Sequence, residues 1–225
     1  MLLLVMGMGR SGTSLLMQTL HAAGFDCGSD WIADNENNPR GYFERKSVMS
    51  FNIYLLQKAS GDTESLYPIP DEASIESLVG TPIPVQFPAH DYAVKDPRFS
   101  LTFPVWYPYL KQFDLRIVLS RRNEEAIVES MARAYDVELK EGREIVRRYI
   151  ARAERQVDRF GLRTASVWYE DWFNEPEKNI SALEELIGRP LRVDLGQVLD
   201  ENLQHCGGEV LSVSIDDLNE RSGIV

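Results

Sequence analysis

The sequence predicts an α/β fold with a central, mostly parallel sheet flanked by helices. Short apolar runs alternate along the chain with longer amphipathic stretches, as strands and helices do in successive βα units. The first apolar run leads directly into a glycine-rich turn and then into a segment with helical spacing. With 225 residues, 44% of them apolar and 26% charged, the chain is long enough to bury one large core. We therefore expect a single domain over residues 1–225.

The first element is a strand over residues 1–6, followed by the turn that begins at Gly7. A helix follows, because Leu16, Leu20 and Ala23 recur at helical spacing. A strand, a glycine-rich turn and a helix form the layout of a phosphate-binding loop, in which backbone amides at the helix start point at the anion. The candidate anion ligands of this loop are Gly9, Arg10, Ser11, Gly12, Thr13 and Ser14.

The charge pattern of this loop differs from that of a nucleoside-triphosphate loop. The spacing G-x-x-x-x-G holds from Gly7 to Gly12, but Thr13 stands where such a loop has lysine. The positive charge lies inside the loop instead, at Arg10. The sequence thus predicts an anion site for a ligand other than an ordinary triphosphate.

Between the first helix and the second predicted strand, the chain is less regular. Residues 24–45 are rich in Asn, Asp, Gly and Pro and predict an extended loop, with turn chemistry at residues 37–41. Residues 47–59 predict a helix with Phe51, Tyr54, Leu55 and Lys58 on one face. Residues 60–90 contain five prolines and predict an insert or lid on the substrate side.

The second half of the chain predicts regular βα units. Asn123 can cap a helix that carries Glu124 and Glu125 in its first turn, and Gly161 and Gly188 can end two others. The tail from Arg189 is weakly patterned. The predicted strands are residues 92–95, 115–120 and 164–168, and the predicted helices are residues 101–113, a helix after 123, 139–160 and 177–187.

Charged and aromatic side chains follow the predicted strands at their carboxyl ends. The loop with Arg10 follows the first, Lys95 ends the second, Arg122 follows the third and Tyr169 the fourth. Ligands of open parallel sheets bind outside the carboxyl ends of the strands. We therefore expect these side chains to meet at one edge and form a local cationic site.

The overall charge limits the partners of the protein. A net charge of −11 argues against broad binding to nucleic acid or to a membrane surface. No apolar stretch reaches membrane-spanning length, and the apolar start has no basic flank of a signal peptide. Cys27 and Cys206 are too few for a disulfide framework and lack metal-ligand spacing. We expect a reducing, cytoplasmic environment.

The motifs resemble those of sulfotransferases that use 3′-phosphoadenosine-5′-phosphosulfate (PAPS), in particular the compact bacterial members. Residues 9–14 resemble the family's 5′-phosphosulfate loop, in which a cation precedes Ser-Gly-Thr. Residues 122–130 resemble its 3′-phosphate motif, with Arg122 at a strand end and Ser130 eight residues later. Residues 169–171 resemble the tyrosine-bearing strand end near the adenine. Residues 38–44 and 94–98 also resemble stretches of the bacterial members, and the resemblance spans about residues 3–205.

This resemblance implies a P-loop-like sulfotransferase fold and a role for each motif. PAPS carries two separated anionic groups, so the loop would hold the 5′-phosphosulfate while Arg122 and Ser130 hold the 3′-phosphate. Arg10 and Lys95 would stabilise charge on the leaving bridge and the sulfuryl oxygens, and Tyr169 would contact adenine. Adenosine 3′,5′-bisphosphate would be the product, and this scheme needs no metal.

The sequence departs from the family's pattern at the proton acceptor and near the carboxyl terminus. The cytosolic members have a catalytic histidine after the lysine strand, where this chain has residues 96–98. Glu44 is the first choice for the base and Asp96 the second, whereas His21 and His90 are expected to be structural. The family's basic glycine loop has no clear match after Arg189, so what completes the 3′-phosphate site is open.

Two other functions are consistent with the same residues. One is a P-loop kinase-like phosphoryl transferase, in which the strand of residues 92–95 would precede a magnesium-binding Asp96. Thr13 in place of lysine and Lys95 in that strand argue against it. The other is a nucleotide-binding regulatory protein without catalysis. The sequence does not identify the acceptor, which could be a sugar, a lipid or a small alcohol, or the oligomeric state.

Overall fold

Four parallel strands form the sheet in the computed structural model, which describes residues 1–32, 41–65 and 67–199. The strands are β1 (Leu2–Met6), β2 (Tyr92–Lys95), β3 (Leu115–Arg121) and β4 (Thr164–Trp168). Their order is β2-β1-β3-β4, and every neighbouring pair is parallel. This arrangement confirms the predicted α/β fold and places the carboxyl ends of all four strands at one edge.

Helices cover both faces of this sheet. They are α1 (Thr13–Ala22), α2 (Lys46–Ser60), α3 (Glu72–Glu76), α4 (Phe99–Leu110), α5 (Glu124–Tyr135), α6 (Leu139–Phe160), α7 (Asp171–Asn174), α8 (Pro176–Ile187) and α9 (Leu195–Val198). In this part of the chain, none of them is both long and apolar enough to cross a membrane.

Successive side chains of a strand point to opposite faces of the sheet, so the core consists of two layers. Leu2, Leu4 and Met6 of β1 pack on one face with residues of α2, α4, α5 and α6. Leu3 and Val5 pack on the other face with residues of α1 and α8. Both faces of β1 are therefore buried, which explains why its sequence is continuously apolar.

Several element ends confirm the predicted capping chemistry. Asn123 precedes α5, and its Oδ1 accepts a hydrogen bond from the Ala126 amide at 3.1 Å. Helix α6 has the predicted bounds and ends at Gly161, which adopts a left-handed conformation with φ 58°. Gly188 ends α8 in the same way, with φ 77°.

The residues predicted to share one face of α2 differ in burial. Tyr54 is 45% exposed, and Lys58 donates a hydrogen bond to its hydroxyl on the solvent side. The buried face instead includes Asn52, whose Oδ1 accepts hydrogen bonds from Trp106 Nε1 at 2.8 Å and Thr102 Oγ1 at 2.7 Å. A buried asparagine with these partners lies at a core position that a hydrophobic pattern cannot show.

The proline-rich segment packs over the α4 and α6 side of the sheet. Within residues 61–65 and 67–91, the segment forms one helix, α3, which begins after Asp71. Glu72 of α3 forms a salt bridge with Arg152 of α6 at 3.1 Å. Tyr67 packs edge-on against Tyr149 of α6, with ring centroids 6.0 Å apart. Residues 37–40 of the turn predicted at 37–41 lie outside the described residues, as do residues 200–225, which include Cys206.

Candidate active site

The glycine-rich loop is packed tightly against the neighbouring strand ends. A Cβ atom on Gly7 would lie 2.6 Å from the Ser120 carbonyl oxygen, and one on Gly12 would lie 2.5 Å from Cδ2 of Tyr169. Ser120 Oγ also donates a hydrogen bond to the Ser11 carbonyl at 2.9 Å. Glycine is therefore required sterically at both ends of the loop, between β1 and α1.

The loop conformation favours an anion at the start of α1. Gly12 is the residue before the helix, and it supplies no side-chain cap to the amides of the first turn. Arg10 has φ 70°, a left-handed conformation that is unfavourable for a residue with a Cβ. Such strain persists where the surrounding structure imposes it, often at ligand sites. These amides can hold a phosphate, as the sequence predicts.

Arg10, Arg122 and Ser130 lie together on one side of the loop. Arg10 Nε donates a hydrogen bond to Ser130 Oγ of α5 at 3.0 Å. Arg122 Nη1 donates to the Arg10 carbonyl at 2.9 Å. The predicted 3′-phosphate residues thus adjoin the loop, and the side chain of Arg10 is directed to them.

Arg122 also lies against Tyr169. Its guanidinium carbon is 4.3 Å from the centre of the Tyr169 ring, a cation–π arrangement. The Arg122 Nε atom is buried without a hydrogen-bond partner in the described residues. Burial lowers the pKa of this guanidinium, although it remains charged at neutral pH. The loop, the 3′-phosphate motif and the tyrosine-bearing strand end therefore form one continuous surface.

Lys95 and Glu44 form a second cluster, on the β2 side of the loop. Lys95 Nζ lies 2.8 Å from Glu44 Oε1 and donates hydrogen bonds to the Tyr42 carbonyl at 2.8 Å and to Ser14 Oγ at 3.3 Å. A parallel backbone bridge joins residues 44 and 95, so the sheet edge itself positions the carboxylate. Lys95 connects the expected base to the first turn of α1.

Asp96 lies deeper, behind this pair. Arg98 Nη1 lies 3.2 and 3.1 Å from its two carboxylate oxygens, and 3.7 Å from Glu44 Oε2. Burial raises the pKa of Asp96, the charge of Arg98 lowers it, and the charge of Glu44 raises it. Asp96 is fully buried, whereas Glu44 retains 10% side-chain exposure. Of the two carboxylates predicted as the base, Glu44 is therefore the more accessible.

Arg121 and the two histidines lie outside the two clusters. Arg121 pairs with Glu154 of α6 at 2.7 Å and lines a 540 Å³ cavity that Gly7 and Arg122 also line, so this cavity adjoins the loop. His21 packs edge-on against Trp31, with ring centroids 5.8 Å apart, and His90 Nε2 lies 2.8 Å from Asp26. Neither histidine joins the two clusters, consistent with the structural roles expected for them.

Two residues that lie beside the loop, Ser120 and Tyr67, were not predicted from the sequence to belong to the site. Ser120 is the last buried residue of β3, and its place at a strand end could have indicated its contact with the loop. The Tyr67 hydroxyl lies 3.5 Å from the Cβ position of Gly9. Tyr67 comes from the irregular proline-rich segment, whose path no periodic pattern reveals.

Comparisons with known proteins return structural relatives only. No family model and no curated protein matches the chain. The sulfotransferase STF9 from Mycobacterium avium has 15% identity and a TM-score of 0.44, covering 98% of this chain and 74% of that one. The sulfotransferase STF1 from Mycobacterium tuberculosis H37Rv has 13% identity and a TM-score of 0.42, covering 99% and 76%.

Proposed function

We propose that the protein is a PAPS-dependent sulfotransferase that moves a sulfuryl group to an acceptor hydroxyl. The observation that carries the proposal is the position of two polar clusters on opposite sides of one phosphate-type loop. Arg10, Arg122 and Ser130 lie on one side, and Lys95 and Glu44 lie on the other. PAPS must be held by its two anionic groups while its sulfuryl group is transferred. The first cluster would bind the donor, and the second would act on the sulfuryl group and the acceptor.

The first cluster and the loop would hold the donor. The amides of residues 11–14 hold the 5′-phosphate at the start of α1. Arg122 and Ser130 hold the 3′-phosphate through charge-assisted and hydroxyl hydrogen bonds. Tyr169, which lies beside both Gly12 and Arg122, contacts the adenine. The remaining guanidinium nitrogens of Arg10 would reach the oxygen that bridges phosphorus and sulfur.

The second cluster would carry out the transfer. The acceptor oxygen forms a bond to sulfur as the bond from sulfur to the bridging oxygen breaks, and adenosine 3′,5′-bisphosphate leaves. Glu44 takes the proton of the acceptor hydroxyl. That protonation removes the negative partner of Lys95, whose ammonium then stabilises the sulfuryl oxygens and the leaving bridge. Proton removal and charge stabilisation would thus be coupled through one buried pair.

The acceptor would approach from the side of the proline-rich segment. Tyr67 lies over Gly9 and packs on α6, which supports the proposal that residues 60–90 are a substrate-side insert of a single domain. The acceptor is then a small-molecule, carbohydrate or lipid alcohol. We place the reaction in the cytoplasm, in line with the low cysteine content.

A calorimetric titration tests the donor assignment. We expect adenosine 3′,5′-bisphosphate to bind, Arg122→Ala to weaken this binding, and magnesium-ATP to produce no response. Preference for magnesium-ATP would overturn the proposal in favour of a kinase-like enzyme. Turnover of PAPS with a library of alcohols tests catalysis. A protein that binds the nucleotide but consumes no donor with any acceptor would instead be a regulatory binder.

A further inference from the structure

Arg10, Arg122 and Arg133 lack carboxylate partners within the described part of the chain. No Asp or Glu oxygen described there lies within 4.0 Å of their guanidinium groups. The neighbouring helix α6 shows the usual arrangement, since Arg143 pairs with Glu125 at 3.0 Å. In a chain of net charge −11, a group of arginines without counter-ions indicates a site for an external anion.

Arg133 lies on the same face of α5 as Ser130. The two residues are three positions apart, which makes them neighbours on a helix surface. Ser130 is buried and receives the Arg10 hydrogen bond at 3.0 Å, whereas Arg133 is exposed beyond it. Burial lowers the pKa of Arg122, Tyr169 and Glu170 raise it, and the charges of Arg10 and Arg133 lower it, so Arg122 lies within electrostatic reach of both other arginines.

We propose that Arg133 is a donor-binding residue that completes the second anion site, where it contacts the 3′-phosphate together with Arg122 and Ser130. This inference rests on the proposed sulfotransferase function. A phosphate dianion between these groups removes their mutual repulsion and accepts hydrogen bonds from guanidinium groups on α5 and at the end of β3. Arg133 would then add a third positive charge beside Ser130.

A comparison of two nucleotides tests this assignment. Binding of adenosine 3′,5′-bisphosphate and of adenosine 5′-phosphate is measured by calorimetry for the wild type, Arg133→Ala and Arg133→Lys. We expect Arg133→Ala to weaken the bisphosphate about tenfold and the 5′-phosphate hardly at all. The lysine variant should recover part of the loss because it restores the charge without the planar fork. Arg192→Ala is the matched control, since it removes an exposed arginine distant in sequence from these motifs.

The other possible outcomes distinguish a failure of the Arg133 assignment from a failure of the proposed function. The role of Arg133 is overturned if Arg133→Ala binds the bisphosphate as tightly as the wild type does. It is also overturned if the variant loses affinity for both nucleotides equally. Neither result contradicts the proposed function. Equal weakening by Arg192→Ala shows a general effect of net charge and also overturns the role of Arg133. A wild-type protein that binds neither nucleotide overturns the proposed function and the inference with it. Thermal unfolding of each variant confirms that it is folded.

Discussion

Lys95 Nζ and Glu44 Oε1 lie 2.8 Å apart, with only 2% and 10% of the two side chains exposed. A buried ion pair weakens strongly when one partner loses its charge, because the other charge is left desolvated. Each side chain therefore depends on the other for its compensating charge. This dependence is the basis of the first prediction.

Glu44→Gln should abolish most of the donor turnover while nucleotide binding is retained. The amide is nearly isosteric but cannot accept the acceptor's proton, so we expect kcat to fall about 100-fold or more. The nucleotide Kd should be unchanged because Glu44 belongs to the cluster around Lys95 and not to that around Arg122. The control is Glu175→Gln, which neutralises an exposed carboxylate paired with Lys178 at 2.6 Å. Wild-type turnover in the Glu44 variant would exclude it as the base.

Gly12→Ala should weaken nucleotide binding through Tyr169. The added methyl group would meet Tyr169 Cδ2 at 2.5 Å, so the ring must shift away from Arg122. Gly61→Ala is a matched control, because Gly61 also has a positive φ, 70° against 88°, but its Cβ would meet no atom within 4 Å. We expect Gly61→Ala to lose about 1 kcal/mol of stability and Gly12→Ala to lose more, because its methyl group must also displace Tyr169. Calorimetry should show a weaker Kd for Gly12→Ala alone; equal Kd values would mean that Tyr169 and the loop are not coupled.

Asp30 should contribute stability that depends on pH. Burial raises its pKa, but hydrogen bonds from Ser47 and Arg45 outweigh this, so the folded pKa lies below its ordinary value. The contribution is therefore present above about pH 4, the unfolded value, and is lost as the pH falls through the folded value.

Urea unfolding of Asp30→Asn at pH 7 and pH 3 measures this effect. With 38% of the side chain exposed, solvent screening should limit the loss at pH 7 to about 1 kcal/mol. The difference from wild type should shrink at pH 3. Asp158→Asn, at an exposed position of α6, serves as the control at both pH values. A difference that grows on acidification would contradict the assigned direction.

Cys27 should be chemically inert in the folded protein. Burial, with a smaller effect of the Asp26 charge, raises the pKa of its thiol to about 12, so the reactive thiolate is scarce at pH 8. Iodoacetamide should leave the Cys27 peptide unmodified in native buffer and alkylate it in urea, as measured by mass spectrometry. Alkylation of the Cys206 peptide is quantified separately. Rapid native labelling of Cys27 would show that this part of the core opens readily.

Local patterns account for most of what could be predicted about the fold. The bounds of α6 follow from its long amphipathic period and from Gly161, and the apolar strands follow from burial on both faces. The face of α2 could not be predicted in the same way. Asn52 is buried because Trp106 and Thr102 of another helix donate hydrogen bonds to it. That pairing depends on tertiary structure, which no single segment encodes.

In the candidate site, too, local patterns predict some features, whereas others depend on tertiary packing. The glycine spacing and the strand ends predict the positions of Arg10 and Arg122, because a parallel sheet brings its carboxyl ends together. The spacing does not show that Arg10 turns toward Ser130, 120 residues away, while Lys95 turns toward Glu44. Side-chain direction depends on long-range packing, so the division into two clusters became visible only in three dimensions.

The bridge between residues 44 and 95 fixes the backbone of Glu44 to the edge of the sheet. Trp31 and Arg45 pair in an antiparallel bridge, and the Ile32 amide donates to the Glu44 carbonyl at 2.9 Å, so the base of the intervening loop is closed. The backbone of Glu44 is thus held on two sides, by β2 and by residues 31–32. A substitution confined to the Glu44 side chain should therefore leave this edge of the sheet in place, so that its effect reports the loss of the carboxylate and not a shift of the backbone.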